Sequence, residues 1–294
     1  MYKRILIPLD GSSLSESVLP IAVLLANAFG CGIELIFVIS IPMAEIPAKI
    51  KSQALSDGEY YLKERLQILS SSVRKEQLSS SVQIGQPADR IIEQAELHEK
   101  TLILMSSHGY SGVQRLLLGS VTSKVVQATR TPILVIPVRA MEIEGGLVEF
   151  ERMIVPLDGS KLAESVLPHA LAFCEALDLE MILIRSYNPN FPGSSVRMHD
   201  VSQIVHDSAE RYIQAKLEEL REKGSKRISS RIFRGHAAEQ IIDFAMATPN
   251  SMTAMCTHGR HGIGRWMLGS VTNKVVQCTE EPVLVIRCIG TESG

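Results

Sequence analysis

Two blocks of the amino-acid sequence occur twice, once in each half of the chain. Residues 4–20, RILIPLDGSSLSESVLP, return as residues 152–168, RMIVPLDGSKLAESVLP, at an offset of 148 residues. Residues 108–136 return as residues 258–286, at an offset of 150 residues. Because the two matches occur in the same order, they predict duplication of a whole domain of about 140 residues, a usual domain size.

The repeat sets the expected domain boundaries. We expect a first domain over residues 1–138, a linker over 139–150 and a second domain over 151–294. A linker this short favours halves that pack on each other as an internal pseudo-dimer, and further homodimerisation stays open. The last strands, Ile133–Val138 and Val283–Cys288, are apolar, and an exposed apolar edge strand invites aggregation. We therefore expect these two strands to pair across a pseudo-two-fold axis.

Charge and hydropathy exclude several classes of protein. The chain has 30 basic and 32 acidic residues, a formal charge of −2, so nothing favours a nucleic-acid partner. No apolar run reaches the roughly 18 residues of a membrane span, and the N-terminal apolar stretch is broken at Pro8. Five scattered cysteines without a CxxC pair fit reduced thiols. We expect a cytoplasmic protein with no membrane association.

Each half alternates short apolar runs with helical patterns. The predicted strands of the first half are Arg4–Pro8, Ile33–Ile39, Ser80–Ile84, Leu102–Met105 and Ile133–Val138. The predicted helices run from an N-cap at Ser12 or Ser13 to Phe29, over residues 54–77, over Pro87–Leu97 and over Val121–Ala128. This order predicts an α/β fold of two tandem Rossmann-like domains, each a five-stranded parallel sheet flanked by helices.

Repeated polar and glycine positions fall at one edge of each predicted sheet. Asp10 and Asp158 follow the first strand of each half, and other repeated positions follow the fourth strand or precede the last helix: Gly109, Gly119, Ser120, Gly259, Gly269 and Ser270. Glycine allows close approach of the backbone, and a helix N-terminus attracts anions. These residues predict a site for a nucleotide or another phosphorylated ligand. Neither GxGxxG nor GxxxxGK[ST] is present, which argues against an NAD enzyme.

The strand ending P-L-D-G-S and the later S/T-H-G-x9-G-S-V block resemble the universal stress protein family, over essentially the whole chain and twice. The resemblance implies an adenine nucleotide alpha hydrolase-like fold and the motif G-x2-G-x9-G-[S/T]. Gly109, Gly119 and Ser120 match the end of that motif in the first half. Gly259, Gly269 and Ser270 match it in the second half.

The resemblance also implies a set of cofactor-binding residues. Asp10 and Asp158 would face the adenine, Val38 would line the base pocket, and the backbone at Val121 and Val271 would hold phosphate. The same set includes Pro8, Leu9, Ser106, Pro156, Leu157 and Cys256. Ser106 and Cys256 replace the first glycine of the motif, where a side chain could crowd the sugar. Ser186 stands at the position of Val38. These differences favour the first half over the second as the nucleotide site.

The expected function is that of a stress-response protein, a sensor or regulator that binds ATP or AMP, with or without Mg²⁺. Two alternatives stay open: a protein-interaction module with degenerate pockets, and a weak ATPase or self-phosphorylating enzyme. No nucleophile, base and acid assemble from the sequence, so we assign no catalytic residue. Cys256, His258 and His261 fit no standard zinc spacing, so we assign no metal ligand. The sequence identifies no protein partner.

Overall fold

The computed structural model divides into two compact units, Met1–Val148 and Glu149–Gly294, which we describe separately. The residues described are 1–40, 47–107, 118–137, 149–188, 198–257 and 268–287. The predicted linker 139–150 lies outside this part of the chain except for its last two residues. Pairing between the last strands of the two halves concerns the arrangement of the units, and it stays a prediction.

The first unit alternates strands and helices around one parallel sheet. Its elements are β1 (Arg4–Leu9), α1 (Ser13–Glu16), α2 (Leu19–Phe29), β2 (Gly32–Ile39), α3 (Ala48–Leu69), a 3₁₀ turn (Lys75–Gln77), β3 (Leu78–Ile84), α4 (Pro87–Glu96), β4 (Thr101–Ser106), α5 (Ser120–Ala128) and β5 (Ile133–Ile136). The strand order is β3-β2-β1-β4-β5, and every pairing is parallel.

The second unit repeats this architecture. Its elements are β6 (Arg152–Pro156), α6 (Lys161–Glu164), α7 (Leu167–Leu177), β7 (Glu180–Tyr187), α8 (Met198–Glu222), β8 (Ile228–Arg234), α9 (Ala237–Met246), β9 (Ser251–Cys256), α10 (Ser270–Cys278) and β10 (Val283–Ile286). The strand order is β8-β7-β6-β9-β10, again parallel throughout. The predicted α/β class, with two tandem five-stranded parallel sheets, is confirmed.

The core explains why the central strands are apolar on both faces. Ile5, Leu6 and Ile7 are consecutive in β1 and none is exposed, because helices cover both faces of a parallel sheet. β1 lies between β2 and β4. The chain therefore adds β2 and β3 on one side of β1, and then adds β4 and β5 on its other side. Such a reversal of strand order places a crevice at the carboxyl ends of the strands.

Two predicted helices differ from those observed. The helix expected to run unbroken to Phe29 is interrupted after Glu16, and α2 begins with Pro20 in its first turn. Proline has no N–H to give to a helix interior, so it is favoured at a helix start. The helix expected over residues 54–77 begins earlier, at Ala48, and ends at Leu69, where three serines follow. The predicted N-cap at Ser12 is confirmed, since its hydroxyl accepts from the N–H of Ser15 at 3.1 Å.

A buried ion pair joins β1 to β2 in the first unit. Arg4 Nη1 donates to Glu34 Oε2, and the two side chains are only 12% and 9% exposed. Gln94 Nε2 donates to the other carboxylate oxygen at 2.5 Å, and Arg4 Nη2 donates to Thr101 Oγ1 at 3.0 Å. The strand register puts Ile182 at the corresponding position of the second unit. The ion pair therefore distinguishes the two halves of the duplication.

Among the described residues, no helix combines the length and the apolar character needed to cross a membrane.

Candidate functional site

A cavity of about 260 Å³ opens at the carboxyl ends of β1, β2 and β4 in the first unit. α4 packs against β2 and β4 and forms one side of the cavity, and the start of α5 forms another. The lining residues are Pro8, Leu9, Asp10, Ser15, Ile36, Val38, Pro87, Ile91, Met105, Ser106, Gly119, Ser120, Val121 and Thr122. The cavity lies at the point where the strand order reverses, where open α/β sheets bind ligands.

The cavity brings together nearly all of the residues predicted for the first site. Those that line it are Pro8, Leu9, Asp10, Val38, Ser106, Gly119, Ser120 and Val121. Gly109 lies outside the described residues. Sequence reasoning missed the other lining residues, although Ile36 could have been found. It lies two residues before Val38 in a strand, and residues two apart point to the same face.

The Asp–Gly–Ser turn after β1 fixes the carboxylate at the cavity. Asp10 Oδ1 accepts from the N–H of Ser12 at 3.0 Å and from its hydroxyl at 2.6 Å. Gly11 has a φ of +82°, in the left-handed region that glycine adopts without strain. In the second unit Asp158 accepts the same two bonds from Ser160, at 2.9 and 2.6 Å. Both halves thus hold the acidic group by the same local hydrogen bonds.

The start of α5 presents main-chain N–H groups to the cavity. Gly119 is the N-cap residue, with φ −55° and ψ 147°, and no side chain caps this helix start within the described part of the chain. Ser120 and Val121 follow as the first two helical residues and line the cavity. Thr122 Oγ1 donates to the carbonyl oxygen of Ser106 at 3.0 Å, which ties the helix start to the end of β4. Uncapped N–H groups and the helix dipole together favour an anion here.

The second unit places its predicted residues at equivalent positions. Gly269 begins α10 with φ −56° and ψ 143°, and Thr272 Oγ1 donates to the carbonyl oxygen of Cys256 at 2.7 Å. Gly259 lies outside the described residues. The other predicted residues end β6, follow it, end β9 or begin α10: Pro156, Leu157, Asp158, Cys256, Ser270 and Val271.

Cys256 takes the place of Ser106, and its thiol contacts the end of α6. The Sγ atom lies 3.0 Å from Ser165 Oγ and 3.8 Å from the carbonyl oxygen of Ala163. The residue is buried. The thiol is therefore held by two polar contacts on the α6 side of the second crevice.

A hydrogen-bonded cluster joins α1 to α3 and was not predicted from the sequence. The hydroxyl of Tyr61 on α3 donates to Glu16 Oε1 on α1 at 2.7 Å, and Arg65 Nη1 lies 3.3 Å from Glu16 Oε2. Burial, and then the bond to Glu16, raise the pKa of Tyr61, so the phenol keeps its proton. The second unit repeats the cluster with Glu164, Tyr212 and Lys216. In both units it anchors a long helix to the short helix that follows the Asp–Gly–Ser turn.

Replacing Tyr61 with phenylalanine should lower the free energy of unfolding of the first unit by about 1–2 kcal/mol, because a hydrogen bond to a charged group is lost at a half-buried position. The matched control is Tyr60→Phe, one residue earlier on the same helix, where the side chain is 67% exposed. Urea denaturation measures both. Equal effects of the two substitutions would contradict a stabilising role for the Tyr61 hydroxyl.

Three neighbouring side chains on α8 are of types that bind metal ions. His206, Asp207 and Glu210 each place a ligand atom within 4.8 Å of the others. His206 Nε2 lies 3.9 Å from Glu210 Oε2, as in an ordinary pair one helical turn apart. Exposed groups of this kind are common without a metal, and we assign none to them.

Comparison with known proteins gives the same family for both halves. A family model described as the universal stress protein family matches residues 1–137 and 149–287. The chain is 34% identical over 143 residues to universal stress protein MJ0531 of Methanocaldococcus jannaschii, covering 46% of this chain and 82% of that protein. It is 24% identical over 221 residues to universal stress protein Rv2005c of Mycobacterium tuberculosis, covering 73% and 70% of the two chains.

Solved structures share the fold over nearly the whole chain. A universal stress protein from Archaeoglobus fulgidus superposes with a TM-score of 0.70 at 21% identity, covering 98% of this chain and 97% of that one. A protein of unknown function from Pseudomonas aeruginosa, PA1789, superposes with a TM-score of 0.68 at 16% identity, covering 98% and 93%. At these identities the likeness shows the fold.

Proposed function

Because the chain belongs to the universal stress protein family, we propose that its first unit binds an adenine nucleotide, ATP or AMP, and that the protein acts as a sensor or regulator in a stress response. One observation above all supports the proposal. A strand-end carboxylate, an apolar strand end and the start of a helix line a single cavity.

The chemistry of the cavity suits the parts of a nucleotide. The phosphates would lie at the start of α5, where the N–H groups of Ser120 and Val121 and the Ser120 hydroxyl can donate to them. The base would lie near Val38, whose side chain is apolar, with Asp10 able to accept from an amine or a ribose hydroxyl. A volume of about 260 Å³ lies just below the range of roughly 300–1,000 Å³ found for small-molecule sites.

The lining of the cavity favours binding over turnover. Asp10 is the one titratable side chain among the described residues that line it. General acid–base catalysis needs a positioned proton donor or acceptor of suitable pKa at the reacting group, usually with a partner. We propose that the site serves binding in a sensor or regulator, and weak ATP hydrolysis or self-phosphorylation remains the alternative, which a measurement of ATP turnover would reveal.

Ser120→Ala tests this proposal directly. Loss of the hydroxyl removes a hydrogen bond to a charged phosphate, so ATP affinity should fall by about 1.5–3 kcal/mol, roughly ten- to a hundredfold. Calorimetric titration with ATP and AMP measures the change. Ser270→Ala, the equivalent change in the second unit, should leave the affinity of the first site unaltered.

The wild-type titration decides between binding and the interaction-module alternative. Detectable ATP binding that weakens with Ser120→Ala supports the nucleotide site. Absence of binding to the wild-type chain at millimolar nucleotide would overturn the proposal and leave a protein-interaction function for both units.

A further inference from the structure

One of the differences between the two units lies at the crevice end of the strand next to the central one. Pro8 pairs with Ile36 in the first unit and Pro156 pairs with Ile184 in the second, so β2 and β7 have the same register beside the central strand. Two residues further along, on the same face, stand Val38 and Ser186. Since Val38 lines the cavity of the first unit, Ser186 puts a hydroxyl where the first unit has an apolar side chain.

The Ser186 hydroxyl makes no hydrogen bond to any described residue, although its oxygen is shielded from water. A buried polar group without a partner is unfavourable, so a ligand that supplies a partner gains affinity. The residue as a whole is only half-buried. Rotation about a single side-chain bond carries the oxygen between staggered positions, so the hydroxyl can turn toward a bound ligand.

Two other parts of the second site, the Asp158 turn and the start of α10, keep the geometry of the first unit. Asp158 is held by Ser160 with hydrogen bonds within 0.1 Å of those at Asp10, 2.9 and 2.6 Å against 3.0 and 2.6 Å. Gly269 begins α10 with dihedral angles within a few degrees of those of Gly119, −56° and 143° against −55° and 147°. The acidic turn and the helix start are thus retained, and a polar group is added at the base-pocket position.

We propose that the second unit binds its nucleotide with a hydrogen bond between Ser186 Oγ and the polar edge of the purine, whereas the first unit contacts the base through the apolar Val38. This inference rests on the proposed nucleotide function. It makes Ser186 a specificity-determining residue of the second site, and it makes the two sites of one chain unequal in how they recognise the base.

The test uses the full chain with Gly119→Val, so that titrated ATP reports on the second site alone. Ser186→Ala in this background should weaken ATP binding roughly tenfold, because one hydrogen bond is lost. Ser186→Thr keeps a hydroxyl and should retain most of the affinity. Ser186→Ala should not lower Tm, because the hydroxyl has no partner among the described residues of the unliganded chain.

The reciprocal experiment places a hydroxyl in the first site. Val38→Ser, in a chain carrying Gly269→Val, should move base recognition of the first site toward that of the second, read as the ratio of affinities for ATP and for purine riboside triphosphate. Unchanged or tighter ATP binding with Ser186→Ala, or a second site that binds no ATP while the first does, would overturn the inference alone. A wild-type chain that binds no nucleotide would instead overturn the proposed function.

Discussion

Replacing Gly119 with valine should remove ATP binding from the first unit, with a loss of about a hundredfold or more in affinity. The residue lines the cavity and immediately precedes the N–H groups of Ser120 and Val121. A branched side chain there occupies the space that the phosphates need, so two hydrogen bonds to a charged group are lost together, at about 1.5–3 kcal/mol each.

The backbone of Gly119 makes this a test of the site and not of the fold. Its φ of −55° and ψ of 147° are accessible to valine. Its N–H donates to the carbonyl oxygen of Ser107 at 2.7 Å, a bond that valine can also make. Tm of the unliganded variant should therefore stay close to that of the wild type. Gly269→Val is the matched control, and calorimetry showing that it alone abolishes ATP binding would assign the nucleotide to the second unit.

The second large effect concerns stability. Glu34→Ala should destabilise the first unit by about 3–5 kcal/mol, because the Arg4 guanidinium loses its negatively charged partner while its side chain is only 12% exposed. Gln94 and Ser81 also donate to this carboxylate and would lose their acceptor. Hydrogen exchange measured by peptide localises the loss, with faster exchange expected in β1 and β2 and no change in β6 and β7.

The second unit supplies the control for this prediction. Ile182 occupies there the position of Glu34, so an apolar residue fits this register of the sheet. A double variant, Arg4→Met with Glu34→Ile, removes both charges and should recover most of the lost stability, since replacing a buried ion pair by apolar groups is often neutral. A loss of less than about 1 kcal/mol in the free energy of unfolding with Glu34→Ala would contradict this prediction, because it is the value expected for an exposed ion pair.

Local signals were enough to predict the order of strands and helices. The β-branched strand runs, the N-cap at Ser12 and Pro87 at the start of α4 each act within a few residues, and the structure confirms all three. Helix ends were less predictable. The apolar periodicity before Phe29 continues across the break at Ser17, and only Pro20 indicates a second helix start. The start of α3 was placed too far along the chain, although Pro47 directly precedes its first residue, Ala48.

For the site, the repeat identified residues that lie in matching blocks of sequence. Asp10 and Gly119 were predicted because their counterparts recur at Asp158 and Gly269. Ile91 was not predicted, because only the packing of α4 against the sheet brings it to the cavity. The bond between Tyr61 and Glu16 joins residues 45 positions apart and depends on the same tertiary packing.

The helix start at Gly119 affects how two copies of a gene segment can diverge after duplication. A site made of side chains is erased by one substitution that deletes a hydroxyl or a carboxylate. Main-chain N–H groups survive almost every substitution, since only proline lacks one. A site made of main-chain N–H groups is blocked most directly when a larger residue replaces the glycine beside them. Both Gly119 and Gly269 are still glycine, although the halves have changed at Ser106 and Cys256. Neither half therefore carries the single substitution that would block its helix start most directly.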